Sequence, residues 1–158
     1  LETTDGWFLD EAIYENRRIR LESQGLPPPD GIGAVEQFLQ GGAIKVFARH
    51  PERSVSELAA AIEGVAGYAT WSGTYLLEVM HPSVNKRNAL ERLCQELGIQ
   101  REDVATFGDN HNDVQMIEWA GFGVAMANAS EEAKEAAAEV AASHHEDGVA
   151  QVLERWFG

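Results

Sequence analysis

Two aspartates and two asparagines lie close together in the second half of the sequence. Asp109 and Asp113 supply carboxylates, and Asn110 and Asn112 supply amides, all within five residues. Hard cations such as Mg²⁺ prefer oxygen ligands and keep several waters, so this segment predicts a Mg²⁺ site. Helix capping by one of these residues is the alternative, and it explains a single side chain better than the whole cluster. We expect His111, inside the segment, to lie on the surface, because Mg²⁺ prefers oxygen to imidazole.

The elements around this segment place it at the end of a buried strand. Residues 104–107 have the apolar, β-branched and aromatic composition of a short strand, and Gly108 allows a sharp turn after it. The next helix is predicted to begin at Asp113, where free backbone N–H groups favour an anion. Ligands of open parallel sheets bind at the carboxyl ends of the strands, so the segment lies where a ligand is expected.

The C-terminal part of the chain, residues 84–158, alternates helices and strands with short links, a pattern typical of an α/β fold with a parallel, doubly wound sheet. Ala89, Leu90, Leu93, Cys94 and Leu97 fall on one face of the first helix, and Gly98 is its stop signal. The predicted helices span 85–97, 113–120, 131–138 and 147–157, and the predicted strands span 104–107, 123–126 and 139–142.

The N-terminal part, residues 1–83, has a different pattern that predicts an α+β unit on a small antiparallel sheet. Residues 25–31 contain three prolines and form a stiff connector. Ser72-Gly73 lies between two apolar strands and predicts a hairpin. The predicted helices span 10–21, 34–40 and 54–62, and the predicted strands span 43–48, 68–71 and 74–80.

Composition excludes several classes of protein. The 158 residues carry 12 basic and 26 acidic side chains, a net charge of −14, which argues against nucleic acid and anionic membrane surfaces as partners. Apolar runs are only a few residues long, so we expect no membrane span. Cys94 is the single cysteine, which excludes an internal disulfide, and we expect a cytoplasmic protein.

Residues 108–117 (GDNHNDVQMI), 120–129 (AGFGVAMANA) and 148–150 (GVA) form an ordered pattern. It resembles the haloacid dehalogenase (HAD) superfamily of phosphatases, and more narrowly its Cof-type sugar-phosphatase branch. The resemblance implies a Rossmann-like, parallel three-layer sandwich and a Mg²⁺ cofactor. It also implies that Asp109 is a Mg²⁺ ligand and that Asp113 is a second acid of the metal shell.

The same resemblance implies residues that bind the substrate phosphate. Residues 84–90 (VNKRNAL) are similar to the segment whose lysine binds the phosphoryl group, which favours Lys86 over Arg87 by its spacing. The alternative is a solvated surface lysine. Asn112 is implied as a phosphate contact. Asn128 either lines the pocket or is an ordinary turn asparagine, two interpretations of about equal weight.

The family's nucleophile has no counterpart in this sequence. That residue is the first aspartate of an Asp-x-Asp-Gly-Thr/Val motif, and it forms an aspartyl-phosphate. Asp5-Gly6 and Asp30-Gly31 are the nearest matches, and both lack the first aspartate. The resemblance thus implies that residues 1–83 are an α/β cap that sets substrate selectivity and that residues 84–158 are the C-terminal half of the core. We expect the chain to belong to a longer protein and to be inactive by itself.

Four further expectations follow. Trp71 and Tyr75 either face a sugar substrate or belong to the cap core, and burial tendencies favour the core. Strand 104–107 would leave one edge unpaired and promote self-association. A second hypothesis is a non-catalytic module that binds phosphorylated metabolites or complements a separate chain. A third is membership of the related phosphomannomutase or sucrose-phosphatase branches.

Overall fold

A computed structural model describes residues 1–64, 67–71 and 76–158. In these residues the N-terminal part is built on a six-stranded sheet with the order β3-β2-β1-β4-β6-β5. All neighbouring strands are antiparallel except β2 and β3, a parallel pair at one edge that was not predicted. The strands are β1 (Glu2–Thr3), β2 (Gly6–Leu9), β3 (Gly31–Ile32), β4 (Lys45–Ala48), β5 (Tyr68–Thr70) and β6 (Leu77–Met80).

Two α-helices of the N-terminal part begin at side-chain caps. Asp10 accepts a hydrogen bond from the Ala12 N–H at 3.0 Å and starts α1 (Glu11–Ser23). Ser54 forms a reciprocal capping box with Glu57 and starts α2 (Val55–Ala61), which confirms the predicted cap. The segment predicted as a helix at 34–40 is a 3₁₀ helix, Val35–Gly41. The predicted turn at 72–73 lies outside the described residues.

The C-terminal part contains a three-stranded parallel sheet in the order β7-β8-β9, which confirms the α/β prediction. Asn85 caps its first helix by accepting the Asn88 N–H at 2.8 Å, and Gly98 ends that helix in a left-handed conformation. The elements are α3 (Lys86–Leu97), β7 (Ala105–Gly108), α4 (Val114–Trp119), β8 (Phe122–Met126), α5 (Glu131–Ala136), β9 (Glu139–Ala141) and α6 (Gly148–Phe157).

The core of this part lies on both faces of β8. Successive residues of a strand point to opposite faces, so Val124 and Ala125, both fully buried, join different clusters. Ala125 packs with residues of α4 and α5, and Val124 packs with Val152 of α6. Helices on both faces of a parallel sheet make the predicted three-layer sandwich.

The apolar face of α3 is only partly buried. Cys94 is buried, but Leu93 is 50% exposed and Leu97 is 63% exposed. Helical spacing identifies an apolar face without showing which element packs on it. Among the described residues, no helix is both long and apolar enough to cross a membrane.

Candidate functional site

The loop after β7 is closed by the carboxylate of Asp113. Its Oδ2 accepts the backbone N–H of Asp109 at 3.0 Å and that of Asn110 at 3.1 Å. Gly108 makes this possible, because a Cβ there would lie 2.4 Å from the Cβ of Asp113. Asp113 is 3% exposed, so its carboxylate turns inward beneath the loop. The 3₁₀ helix His111–Asp113 then leads directly into α4.

Lys86 joins α3 to this loop. It is the first residue of α3, and its Nζ lies 2.5 Å from Oδ1 of Asp113. The lysine side chain is 49% exposed and the aspartate side chain is 5% exposed, so one end of the ion pair remains accessible to solvent. Arg87, the competing candidate, pairs instead with Glu91 along the surface of α3.

Asp109 is held by two side-chain amides. Its Oδ1 accepts the Nδ2 of Asn110 at 2.7 Å, and its Oδ2 accepts the Nδ2 of Asn128 at 3.2 Å. Asn128 lies in the loop after β8, and its Oδ1 accepts the Oγ of Ser143 and the N–H of His144 beyond β9. The loops at the carboxyl ends of all three parallel strands therefore meet around Asp109 and Asn128.

His111 is partly buried, and its exposure is intermediate between that of a core residue and that of a fully solvated side chain. Its ring stacks on Trp71 at the end of β5, with 3.8 Å between centroids and 4° between ring planes. Burial lowers the pKa of His111 below its ordinary value, and the negative charge of Glu132 opposes this shift. The two rings belong to residues forty positions apart, and no local sequence pattern predicts their contact. Tyr75 lies outside the described residues.

The side-chain atoms of this loop that could bind a hard metal ion are oxygens, among them those of Asp109, Asp113 and Asn112. Among the described residues, no three His, Cys, Asp or Glu side chains come together as a metal-binding group. The Oδ1 of Asn112 is buried and has no hydrogen-bond partner within the described chain. A free acceptor in the same short loop as two carboxylates fits a hard cation with bound water, so the chemistry of these residues fits Mg²⁺. A phosphate contact by Asn112 would use the amide nitrogen instead, because phosphate oxygens need donors.

Comparison with known proteins shows that nearly the whole chain matches one family. The model of the haloacid dehalogenase-like hydrolases matches residues 1–153. A phosphoglycolate phosphatase of Methanothermobacter thermautotrophicus is 44% identical over 53% of this chain and 38% of its own length. The 5-amino-6-(5-phospho-D-ribitylamino)uracil phosphatase YitU of Bacillus subtilis is 35% identical over 59% of this chain and 35% of its own length.

Solved structures show the same fold. A haloacid dehalogenase-like hydrolase from Bacteroides thetaiotaomicron has a TM-score of 0.60 and 30% identity, with 89% of this chain and 53% of the other covered. The HAD subclass IIB sugar phosphatase BT4131 has a TM-score of 0.75 over the same shares of the two chains, and its 22% identity supports the fold alone. The chain spans about half the length of these structures, and the matches to the first curated relatives cover about a third of theirs.

Proposed function

Because the chain belongs to the haloacid dehalogenase-like hydrolase family, we propose that it is part of a Mg²⁺-dependent phosphatase of small phosphorylated metabolites, with sugar phosphates as the leading class. One observation carries the proposal. A lysine from the start of α3 and the acidic loop after β7 are joined by a 2.5 Å ion pair at the carboxyl end of the sheet. Cationic and anionic groups thus lie side by side where α/β folds bind ligands.

Each residue of this site has a distinct proposed role. Asp109 would hold Mg²⁺, and Asp113 would complete the metal shell while it orients Lys86. When bound, Mg²⁺ would neutralise charge on the phosphoryl oxygens. Lys86 would bind the phosphate as a point charge through its exposed Nζ, with Asn112 as a further contact. Asn128 would fix the orientation of Asp109 through their hydrogen bond.

The substrate class is supported by the names of similar proteins. Phosphoglycolate, a phosphoribitylamino uracil and sugar phosphates are all small organic molecules that carry one phosphate ester. We propose that residues 1–83 form the cap that selects among such molecules, and that residues 84–158 supply half of the phosphate-binding core. Selectivity would then depend on the N-terminal part and phosphate recognition on the C-terminal part.

We propose that the 158-residue chain alone does not turn over phosphate esters. Neither near match to the nucleophile motif supports a catalytic aspartate. Asp30 accepts the Trp7 N–H at 2.9 Å beside the β2–β3 edge, and Asp5 lies in the exposed turn between β1 and β2. Hydrolysis of p-nitrophenyl phosphate by the purified chain with Mg²⁺ would contradict this statement directly.

Titration calorimetry tests binding independently of turnover. We expect the purified chain to bind Mg²⁺, and to bind inorganic phosphate and a hexose phosphate more tightly when Mg²⁺ is present. Asp109→Ala should abolish Mg²⁺ binding. Asp103→Ala, an exposed acid just before the same strand, is the matched control and should leave it unchanged. Equal binding by both variants would refute the assignment of Asp109.

The second candidate is a non-catalytic module, or a half that complements a separate chain. It is favoured by the exposed edge of β7, which pairs with β8 and with no other described strand. Unpaired strand edges bind other strands, so we propose self-association through residues 104–107. Sedimentation at increasing concentration should show dimers or larger species, and a monomer throughout would oppose both the self-association and the complementing half.

A further inference from the structure

The stack between Trp71 and His111 connects the N-terminal part to the candidate site. Trp71 directly follows β5, and His111 lies midway between Asp109 and Asp113. We propose that Trp71 is a positioning residue that docks the N-terminal part on the 109–113 loop and orders the loop for ligand binding. This inference rests on the proposed function of the same site, and it gives the cap a direct mechanical link to the ion-binding side chains.

The geometry of the contact carries the first step. A centroid distance of 3.8 Å with 4° between planes means that the two ring faces cover each other almost completely. Such a contact needs both rings in defined orientations, and parallel stacking is one of the favoured geometries of aromatic pairs. Aromatic pairs contribute enough to change an equilibrium about 2- to 12-fold.

The hydrogen bonds of the loop carry the second step. The Nδ1 of His111 is buried and has no partner among the described residues, so packing on Trp71 orients the ring. His111 is flanked by Asn110, which donates to both Asp109 and Asp113. Movement of the His111 ring therefore moves the adjoining backbone, whose N–H groups at Asp109 and Asn110 hold Asp113, and the Asn110 side chain that holds Asp109.

The surroundings of the loop carry the third step. The polar contacts of its two aspartates run within the loop, to Lys86 on α3, and to the loop after β8. All of these partners belong to the C-terminal part. The ring stack brings a residue of the N-terminal part into direct contact with this loop, so the loop can respond to whether the cap is docked.

Nuclear magnetic resonance and hydrogen exchange test the docking without any ligand. We compare Trp71→Leu with Trp71→Phe, and use Trp7→Leu, a tryptophan of the same sheet, as the matched control. In Trp71→Leu, the ring protons of His111 should lose the upfield shift caused by the indole. The amides of Asp109 and Asn110 should exchange about 2- to 12-fold faster. Trp71→Phe should restore most of the protection, and Trp7→Leu should not change it.

Two results would overturn the proposal. One is unchanged His111 shifts and loop exchange in Trp71→Leu, which would mean that the rings are not stacked in solution. The other is faster exchange throughout β8 as well as in the loop, which would mean that Trp71 has only a general structural role.

Mg²⁺ titration then links docking to the site. Trp71→Leu should weaken Mg²⁺ binding about 2- to 12-fold, with recovery in Trp71→Phe. If the unmodified chain binds no Mg²⁺, the proposed function fails, and the exchange measurements still decide whether Trp71 docks the loop. If the chain binds Mg²⁺ and Trp71→Leu binds it equally well, the positioning role is refuted while the proposed function stands.

Discussion

Replacing Lys86 with methionine tests whether the ion pair with Asp113 holds the loop in solution. Methionine keeps the length and apolar stem of the side chain and removes its charge. Exposed ion pairs contribute about 0.2–1 kcal/mol, whereas removal of one partner of a buried pair costs about 3–5 kcal/mol. Asp113 is buried and Lys86 is half exposed, so we expect Lys86→Met to lower the free energy of unfolding by about 1.5–2.5 kcal/mol.

Asp113→Ala is the second substitution of a double-mutant cycle with Lys86→Met. This change removes the acceptor of two backbone N–H groups as well as the partner of Lys86. Hydrogen bonds to charged groups contribute about 1.5–3 kcal/mol each, and the loop regains some water contacts, so the expected loss is about 3–4 kcal/mol. Without Asp113, Lys86→Met should cost less than about 0.5 kcal/mol, which gives a coupling energy of about 1–2 kcal/mol.

Urea denaturation followed by circular dichroism measures the free energy of unfolding of four proteins: the unmodified chain, Lys86→Met, Asp113→Ala and the double variant. Arg92→Met is the matched control, because Arg92 lies on the same helix and pairs with Glu96 at 3.1 Å, with 81% and 62% of the two side chains exposed. That substitution should cost less than about 0.5 kcal/mol. The argument is refuted if Lys86→Met costs no more than Arg92→Met, or costs the same with and without Asp113.

Three other substitutions follow from local geometry. Gly108→Ala would place a Cβ 2.4 Å from that of Asp113. It should lower the free energy of unfolding by about 3 kcal/mol in urea denaturation. A loss below about 0.5 kcal/mol, the range of surface substitutions, would contradict the tight turn. The backbone N–H of Ser54, and after it the Ser54 hydroxyl, lower the pKa of Glu57, so this carboxylate stabilises the fold above its ordinary pKa and loses that effect as the pH falls through the lowered value. Ser54→Ala keeps the backbone N–H and removes the hydroxyl, so it should raise the pKa of Glu57 part of the way in an NMR titration; an unchanged value would mean that the hydroxyl does not bond Glu57 in solution. Val124→Ala, at a fully buried position of β8, should cost about 2 kcal/mol by the same denaturation assay, and a neutral result would mean that the core repacks.

Elements with strong local signals were predictable from the sequence. The capped helices begin where Ser54 and Asn85 indicate, and the parallel strands lie within one or two residues of their predicted bounds. The hairpin of β1 and β2 was not predicted, because its first strand has only two residues and shows no alternation. The edge pair of β2 and β3 brings together segments more than twenty residues apart, and only the folded chain establishes it.

In the candidate site, too, local patterns were predictable from the sequence and contacts between distant residues were not. A strand followed by an acidic loop is a local pattern, and it pointed to the segment in which the Asp109 N–H bonds the Asp113 carboxylate. The approach of Lys86 depended on the family resemblance, because twenty-seven residues separate it from Asp113. The stack of His111 on Trp71 had no signal in the sequence, since either ring alone fits an ordinary surface or core position.

Asp109 and Asp113 differ in what their oxygens can still bind, and this difference separates folding from ligand binding. Asp113 is buried and accepts two backbone N–H groups and a lysine, so any new partner must compete with bonds that shape the loop. Asp109 is half-buried and accepts amides from Asn110 and Asn128, side chains that can rotate away while the backbone stays in place. A cation that approaches the loop is therefore expected to bind Asp109 first. Loss of Asp109 should then remove binding from a folded protein, whereas loss of Asp113 should impair both the loop and its ligand.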